Sequence, residues 1–375
     1  MSCYKVIINE KGNIAVDDTI LVKGYPTEAG SKILSGFTPL FSAEAVERLE
    51  KKGYTIAGKS KVGEFGLDLF GETAFDNPVL SAGAKLVKEN KVKANLSVDL
   101  NGYPRRSAKM EGIKFIKPSY GSVSRYGVIP CACSMEQIGV MANTTEDLIE
   151  VLSVISGHDV KDGTSILTEK YDYTPIEKAF NIAIVKELKT EETESVIKEL
   201  VKKGATVTEI SIPEVKEFSV AFQILMSAET TNNLSRYDGV KFGYRTENYN
   251  DIDDLYVNTR TEGFNLLAKA TILYGSNVLS KGKYFECYDK ALKVRKVAMD
   301  KMAEIFANYD AVLTGVCSNE NHEGENVFLS VLNESIYTAT ASITGLPAIV
   351  TKGVQFIGNM EKENILFGIS KLLDK

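Results

Sequence analysis

The stretch Asn181-Ile-Ala-Ile-Val185, followed by Glu191 to Lys203 and then Ala205-Thr-Val-Thr-Glu-Ile-Ser-Ile212, decides the fold class. The first run is short and rich in β-branched residues, as a buried strand requires. Glu191 to Lys203 reads as an amphipathic helix ending at Gly204, and the third run as another strand. Strand, helix and strand in that order predict a parallel pair joined by a right-handed crossover.

The same alternation extends in both directions. Ser42 to Lys52 reads as a helix with Ser42 as N-cap and Gly53 just past its end, and Tyr54-Thr-Ile-Ala-Gly58 as a short strand. Thr144 to Ser156 is a second helix, opened by a capping box on Thr144 and Asp147 and stopped by Gly157. A long helix from about Tyr284 to Ala307 precedes the strand Ala311-Val-Leu-Thr314. The pattern predicts an α/β fold with helices on both faces of a sheet. No repeat or Pro-, Gly- or Ser-rich linker divides the chain, so residues 1–375 are expected to form one domain. The polar, Tyr-rich run from Asn232 to Asp254 reads as a surface insertion, spanning about 232–260.

Composition narrows the function. The net charge of −6 argues against a broad nucleic-acid or anionic-membrane surface, which needs Lys and Arg in excess. The N-terminus lacks a signal-peptide core, and no stretch approaches the roughly 18 apolar residues of a membrane span. Cys3, Cys131, Cys133, Cys287 and Cys317 are an odd number spread along the chain, which points to reduced thiols and a cytoplasmic location.

Several motifs have a plain structural reading. Gly53-Tyr-Thr-Ile-Ala-Gly58-Lys59-Ser60 fits the phosphate-binding G-x-x-x-x-G-K-[ST] pattern. That chemistry needs a strand, a loop and then a helix; here a helix ends at Gly53 and the would-be cradle is itself a strand. Cys131-Ala-Cys133 lacks a second ligand pair at usable spacing, so buried thiols are expected rather than zinc. His322, within Asn-Glu-Asn-His-Glu-Gly-Glu, reads as a solvated polar loop, and His158 as a turn residue beside a helix C-terminus. With two histidines in all, a Ser-His-Asp triad is not expected, nor is any metal or cofactor.

From Ala29 onward the chain resembles the amidase-signature family, and within it the amidase components of glutamyl-tRNA amidotransferases. Ala29-Gly-Ser-Lys-Ile-Leu, Ala57-Gly-Lys-Ser and Glu64-Phe resemble the family's opening helix and strand. Lys117-Pro-Ser-Tyr-Gly-Ser-Val-Ser-Arg-Tyr-Gly is similar to K-P-T-Y-G-R-V-S-R-Y-G, and Gly157-His-Asp-Val-Lys-Asp-Gly-Thr-Ser to G-H-D-x-x-D-x-T-S. Asn233-Leu-Ser-Arg-Tyr-Asp-Gly, Arg260-Thr-Glu-Gly-Phe and Thr344-Gly-Leu-Pro-Ala-Ile follow in matching order. The resemblance implies a large mixed sheet flanked by helices.

It also implies where amide hydrolysis would be carried: a lysine base in a K-D-N-type segment, a relay serine in G-G-S-S-G-G-S, and a nucleophilic serine ending D-T-G-G-S. A hydroxyl attacks only when a base takes its proton and backbone N–H groups hold the oxyanion. At those places this chain has Asp17 in Ile14-Ala-Val-Asp17-Asp18-Thr-Ile20, Ser81 in the shortened Asn77-Pro-Val-Leu-Ser81-Ala-Gly83, and Tyr103 in Asp99-Leu-Asn-Gly102-Tyr103. Asp18 is expected to raise the proton affinity of Asp17 while solvent opposes it. The family's ligand-holding arginine and aspartate fall on Ala270 with Thr271 and on Ser335, next to Glu334.

These departures predict a non-catalytic binding or regulatory homologue with a small-molecule ligand, a protein partner of amidotransferase type, or both. Asp99, Gly102 and Arg105 are candidate pocket residues; the ordinary alternative for Arg105 and Arg106 is surface salt bridges. Two other readings stay open. One is an active amidase or glutaminase using Tyr103 or Ser81 with Lys59 or Lys85. The other is an intact component of an amidotransferase. Only about a dozen residues precede the Asp17 segment, however, where the family has helices that engage a small partner protein.

Overall fold

The computed structural model describes residues 2–318 and 326–374. The strands, in chain order, are β1 (Tyr4–Ile7), β2 (Ile14–Asp17), β3 (Ile56–Ser60), β4 (Ala94–Asp99), β5 (Lys114–Lys117), β6 (Gln137–Ala142), β7 (Asn181–Val185), β8 (Thr206–Ile210), β9 (Ala311–Thr314), β10 (Ala348–Thr351) and β11 (Val354–Gly358). Among the described residues they form one mixed sheet in the order β1-β3-β2-β4-β6-β5-β10-β11-β9-β7-β8. The β7–β8 pair is parallel, joined through the helix Glu191–Lys202, as the strand–helix–strand pattern predicts. Parallel pairing also sets β2 between β3 and β4, and this arrangement builds the site described below.

Alternation along the strands sends neighbouring residues to opposite faces. Ile182 and Ile184 of β7 join a core beneath the helices Glu44–Lys51, Thr145–Ile155, Glu191–Lys202 and Glu363–Asp374. Ala183 and Val185 join the opposite core, under Val215–Leu234, Leu266–Leu279, Asp289–Phe306 and Val327–Thr344. The predicted architecture, a large mixed sheet flanked by helices on both faces, is therefore present.

Local boundaries differ from expectation where a side chain finds a better use. Ser42 does not cap the first long helix, which starts one residue later with Ala43 as N-cap; the Ser42 hydroxyl instead accepts the Lys23 N–H at 3.0 Å. The strand expected from Tyr54 begins at Ile56 and is buried throughout, so Gly58, Lys59 and Ser60 are extended backbone and cradle no phosphate. Thr144 caps its helix as expected, accepting the Asp147 N–H at 3.1 Å. The predicted long helix opens with a π-helical turn, Tyr284–Tyr288, before Asp289–Phe306. The polar run after Leu234 packs back on the fold through Tyr244 N–H, which donates to the Ile33 carbonyl at 2.9 Å.

Candidate functional site

Asp17 ends β2, between Ser60 of β3 and Asn95 and Ser97 of β4. Its carboxylate accepts from Ser60 Oγ at 2.9 Å, Asn95 Nδ2 at 2.9 Å and Ser97 Oγ at 3.1 Å. The side chain is 1% exposed, and burial pushes its proton affinity up to about 7 despite those donors. The expected opposition from solvent is absent, and burial rather than Asp18 is the cause. Asp18 turns to the other side of the strand, where its carboxylate pairs with Lys59 Nζ at 2.9 Å. Lys59 also donates to the Pro26 carbonyl at 3.1 Å and to Thr27 Oγ1.

Tyr103 begins the helix Tyr103–Glu111. Gly102, its N-cap, has φ +86°, and a Cβ there would meet Thr338 Cγ2 at 2.5 Å. Glycine is therefore required by both backbone and neighbour. The Tyr103 ring is 1% exposed and lies against the loop carrying Gly71. Among the described residues its hydroxyl meets no well-formed hydrogen-bond partner, and Ser107, one turn along, is the polar side chain that acts on it. Burial, then the charges of Asp17 and Asp68, hold the phenol well above its ordinary range. Asp68 accepts from Gly71 N–H at 3.0 Å and from Thr73 N–H at 2.8 Å, and burial together with Glu72 pushes it up to about 7.

Ser81 precedes the short helix Ala82–Lys88 with φ +54°, a left-handed conformation that costs a serine about 1 kcal/mol or more. Its N–H donates to the Phe70 carbonyl at 2.7 Å, and the residue is 2% exposed. Of the lysines suggested as alternative bases, Lys59 is held by Asp18, and Lys85 lies 4.0 Å from Glu111 at the protein surface. A cleft beside Asp18, lined by Lys5, Glu28 and Lys61, has a volume of about 10 Å³, room for one water.

The arginines are not on the surface. Arg105 and Arg106, in the first turn of the helix Tyr103–Glu111, are both 0% exposed, and their guanidiniums bond to Thr338 and Ser342 of the helix Val327–Thr344. Arg105 grips Asp99 through Nε at 2.8 Å and Nη2 at 2.9 Å, and reaches Gln355 Oε1 at 2.7 Å and Ser342 Oγ at 2.8 Å. Asp99 and Arg105, both candidate pocket residues, thus satisfy each other. Thr271 bonds its own helix at Leu267 O, 2.9 Å away, and Ser335 Oγ meets Ser219 Oγ at 2.6 Å across two helices.

The remaining candidates separate. Cys131 is buried against Thr230 Oγ1 at 3.3 Å, and burial pushes its thiol well up. Among the described residues no His, Cys, Asp and Glu grouping is spaced to hold a metal. His158 Nδ1 lies 3.2 Å from the Ile166 carbonyl in its turn, and His322 lies outside the described residues. Sequence reasoning missed Ser60, Asn95 and Ser97. For Asn95 and Ser97 the signal was the alternation in Ala94-Asn-Leu-Ser-Val-Asp99, whose polar residues share one face of a central strand.

A sequence profile described as Amidase matches residues 13–80 and 99–366. The A-subunit of the glutamyl-tRNA(Gln) amidotransferase of Streptococcus agalactiae is 34% identical over 398 residues, covering 95% of this chain and 81% of that protein. The crystal structure of the corresponding protein from Thermotoga maritima superposes with TM-score 0.79 at 26% identity, covering 100% of this chain and 86% of that one. The urea amidolyase of Kluyveromyces lactis shares the fold, with TM-score 0.81 at 20% identity over 96% of this chain and 23% of that one. Among the described residues no helix is long and apolar enough to cross a membrane.

Proposed function

The chain belongs to the amidase family, and we propose that within it this protein is a non-catalytic member that binds a small ligand or a partner protein. One observation carries the reading: Asp17, which the resemblance sets against the family's lysine, is sealed among Ser60, Asn95 and Ser97 and, among the described residues, bonded to neither Tyr103 nor Ser81. A carboxyl near 7 has the proton affinity of a general base, but a base must first reach the proton it removes. Among the described residues Asp17 makes no hydrogen bond to the hydroxyl of Tyr103 or Ser81, and each of the three residues is 2% exposed or less. A substrate carbonyl would have to displace packed side chains before any chemistry began.

The test is direct. Purified protein is incubated with glutamine and with simple aliphatic and aromatic amides, ammonia is measured, and a fluorophosphonate probes for a reactive serine. Silence with folded protein is expected. Turnover that disappears in Ser81→Ala or Tyr103→Phe would overturn the reading.

The 34% identity to proteins that are subunits by name favours a partner protein of amidotransferase type. Co-purification with the other amidotransferase subunits tests this. One sheet running through the described chain supports reading it as a single domain, and the scattered cysteines, none disulfide-bonded among the described residues, fit a cytoplasmic location.

A further inference from the structure

A groove of about 340 Å³ opens between the helix Val215–Leu234 and the π-helical turn Tyr284–Tyr288 with the helix Asp289–Phe306 that continues it. That volume is in the range of small-molecule pockets. The walls are largely apolar: Val220, Ala221 and Ile224 on one side, Cys287, Ala291 and Val294 on the other. Each set recurs at the intervals of a single helix face. Ala221 and Ala291 are buried but offer only a methyl group each, which leaves space between the two faces. A π-helical turn is rare and recurs at functional sites; here it carries Glu286 and Cys287 to the groove.

The rim is charged, and two of its cations are free. Lys216 and Lys290 are exposed, and among the described residues neither has a carboxylate within 4.0 Å. Glu286 is held by Lys283 Nζ at 2.9 Å, and Lys290 acts on it only from further off. Glu217 is the other acid on the rim, and the two free ammonium groups outnumber it. An apolar trough edged by free cations is complementary to a molecule with an apolar chain and one carboxylate. The long lysine stems let both ammonium groups reach the mouth while staying in water.

We propose that this groove binds a small amphipathic monocarboxylate, an unbranched aliphatic acid of medium length. Its chain lies between the two helices and its carboxylate meets Lys216 and Lys290. Asp17, Ser81 and Tyr103 are not among the lining residues, so the inference goes beyond the non-catalytic reading and does not depend on it.

Octanoate is the probe. It is titrated calorimetrically into the full chain, and N-ethylmaleimide labelling, followed at each cysteine by peptide mass, locates it. Octanoate at about ten times its dissociation constant is expected to slow labelling of Cys287 about tenfold, with the part-exposed Cys3 unchanged. From butanoate to octanoate, each added methylene should tighten binding by up to about fourfold, the value for full burial. Lys216→Glu combined with Lys290→Glu, both on the surface, should weaken octanoate about tenfold at low salt and leave octanol binding unchanged. Absent binding heat, affinity indifferent to chain length, or equal protection of Cys3 overturns the proposal. So does shielding of Cys287 by a co-purifying subunit while octanoate has no effect. Ammonia release from glutamine, by contrast, would sink the non-catalytic reading and leave the octanoate result standing.

Discussion

Arg105 and Asp99 face each other as a fork, Nε to Oδ2 at 2.8 Å and Nη2 to Oδ1 at 2.9 Å, with both side chains 0% exposed. The pair ties the end of β4 to the helix that follows it, and Gln355 of β11 completes the guanidinium's shell. Removing one partner strands a buried charge, so Arg105→Met or Asp99→Asn should each cost about 3–5 kcal/mol. The double variant should cost less than the sum, because neither charge is then left alone. Urea denaturation of the four proteins checks this; strictly additive losses would mean that the pair contributes no coupling.

Asp17, Glu64 and Asp68 are all buried, and burial pushes each carboxyl up to about 7. Unfolded carboxyls titrate near 4, so between about pH 4 and pH 7 the folded chain holds the additional protons. Their contribution is therefore fully present below the unfolded value and is lost as pH rises through about 7. Stability should fall from pH 5.5 to about pH 7 and level off toward pH 8, with each carboxyl accounting for at most about 2 kcal/mol over that range. Asp17→Asn should flatten the profile. Urea midpoints across that range measure it, and a rise toward pH 8 would contradict the assignment.

The parts of this molecule that were legible in its sequence are those that depend on near neighbours. Asn181 to Ile212 carries its strand–helix–strand pattern in residues that fold together, and β7 and β8 pair as that pattern requires. The order helix, Gly53, strand was enough to set aside a phosphate loop at Gly58-Lys59-Ser60. The Asp17 network was not legible, because it exists only once β3, β2 and β4 lie side by side, bringing residue 17 to residues 60, 95 and 97. Arg105 and Arg106 misled for the same reason. Adjacent arginines are ordinarily solvated, and the partner Gln355 that helps bury Arg105 stands 250 residues away.

Gly102 sits at φ +86° with Thr338 Cγ2 only 2.5 Å from where a Cβ would be. Gly102→Ala meets two penalties at once, a left-handed backbone and a collision with a buried helix. A loss of about 2–4 kcal/mol is expected, larger than for alanine at an exposed glycine such as Gly53. Thermal denaturation of Gly102→Ala beside Gly53→Ala checks it, since Gly53 has positive φ and nothing within 4 Å. Equal losses would show that the contact with Thr338 adds nothing.

Tyr103 combines a well-packed ring with a hydroxyl that meets no well-formed hydrogen-bond partner among the described residues and feels the charges of Asp17 and Asp68. The two halves of the side chain should separate on mutation. Tyr103→Phe keeps the ring and deletes an unpaired buried polar group, so stability should hold or rise by about 1 kcal/mol. Tyr103→Ser removes the ring and leaves a void, with an expected loss of about 3–5 kcal/mol. Adding Asp17→Lys to Tyr103→Ser should not produce amide hydrolysis. The new ammonium would lie among Ser60, Asn95 and Ser97 with no carboxylate beside it, and burial would strip its charge or unfold the strand. Ammonia release from that double variant would mean that the old chemistry is two substitutions away and that Ser81 still serves it.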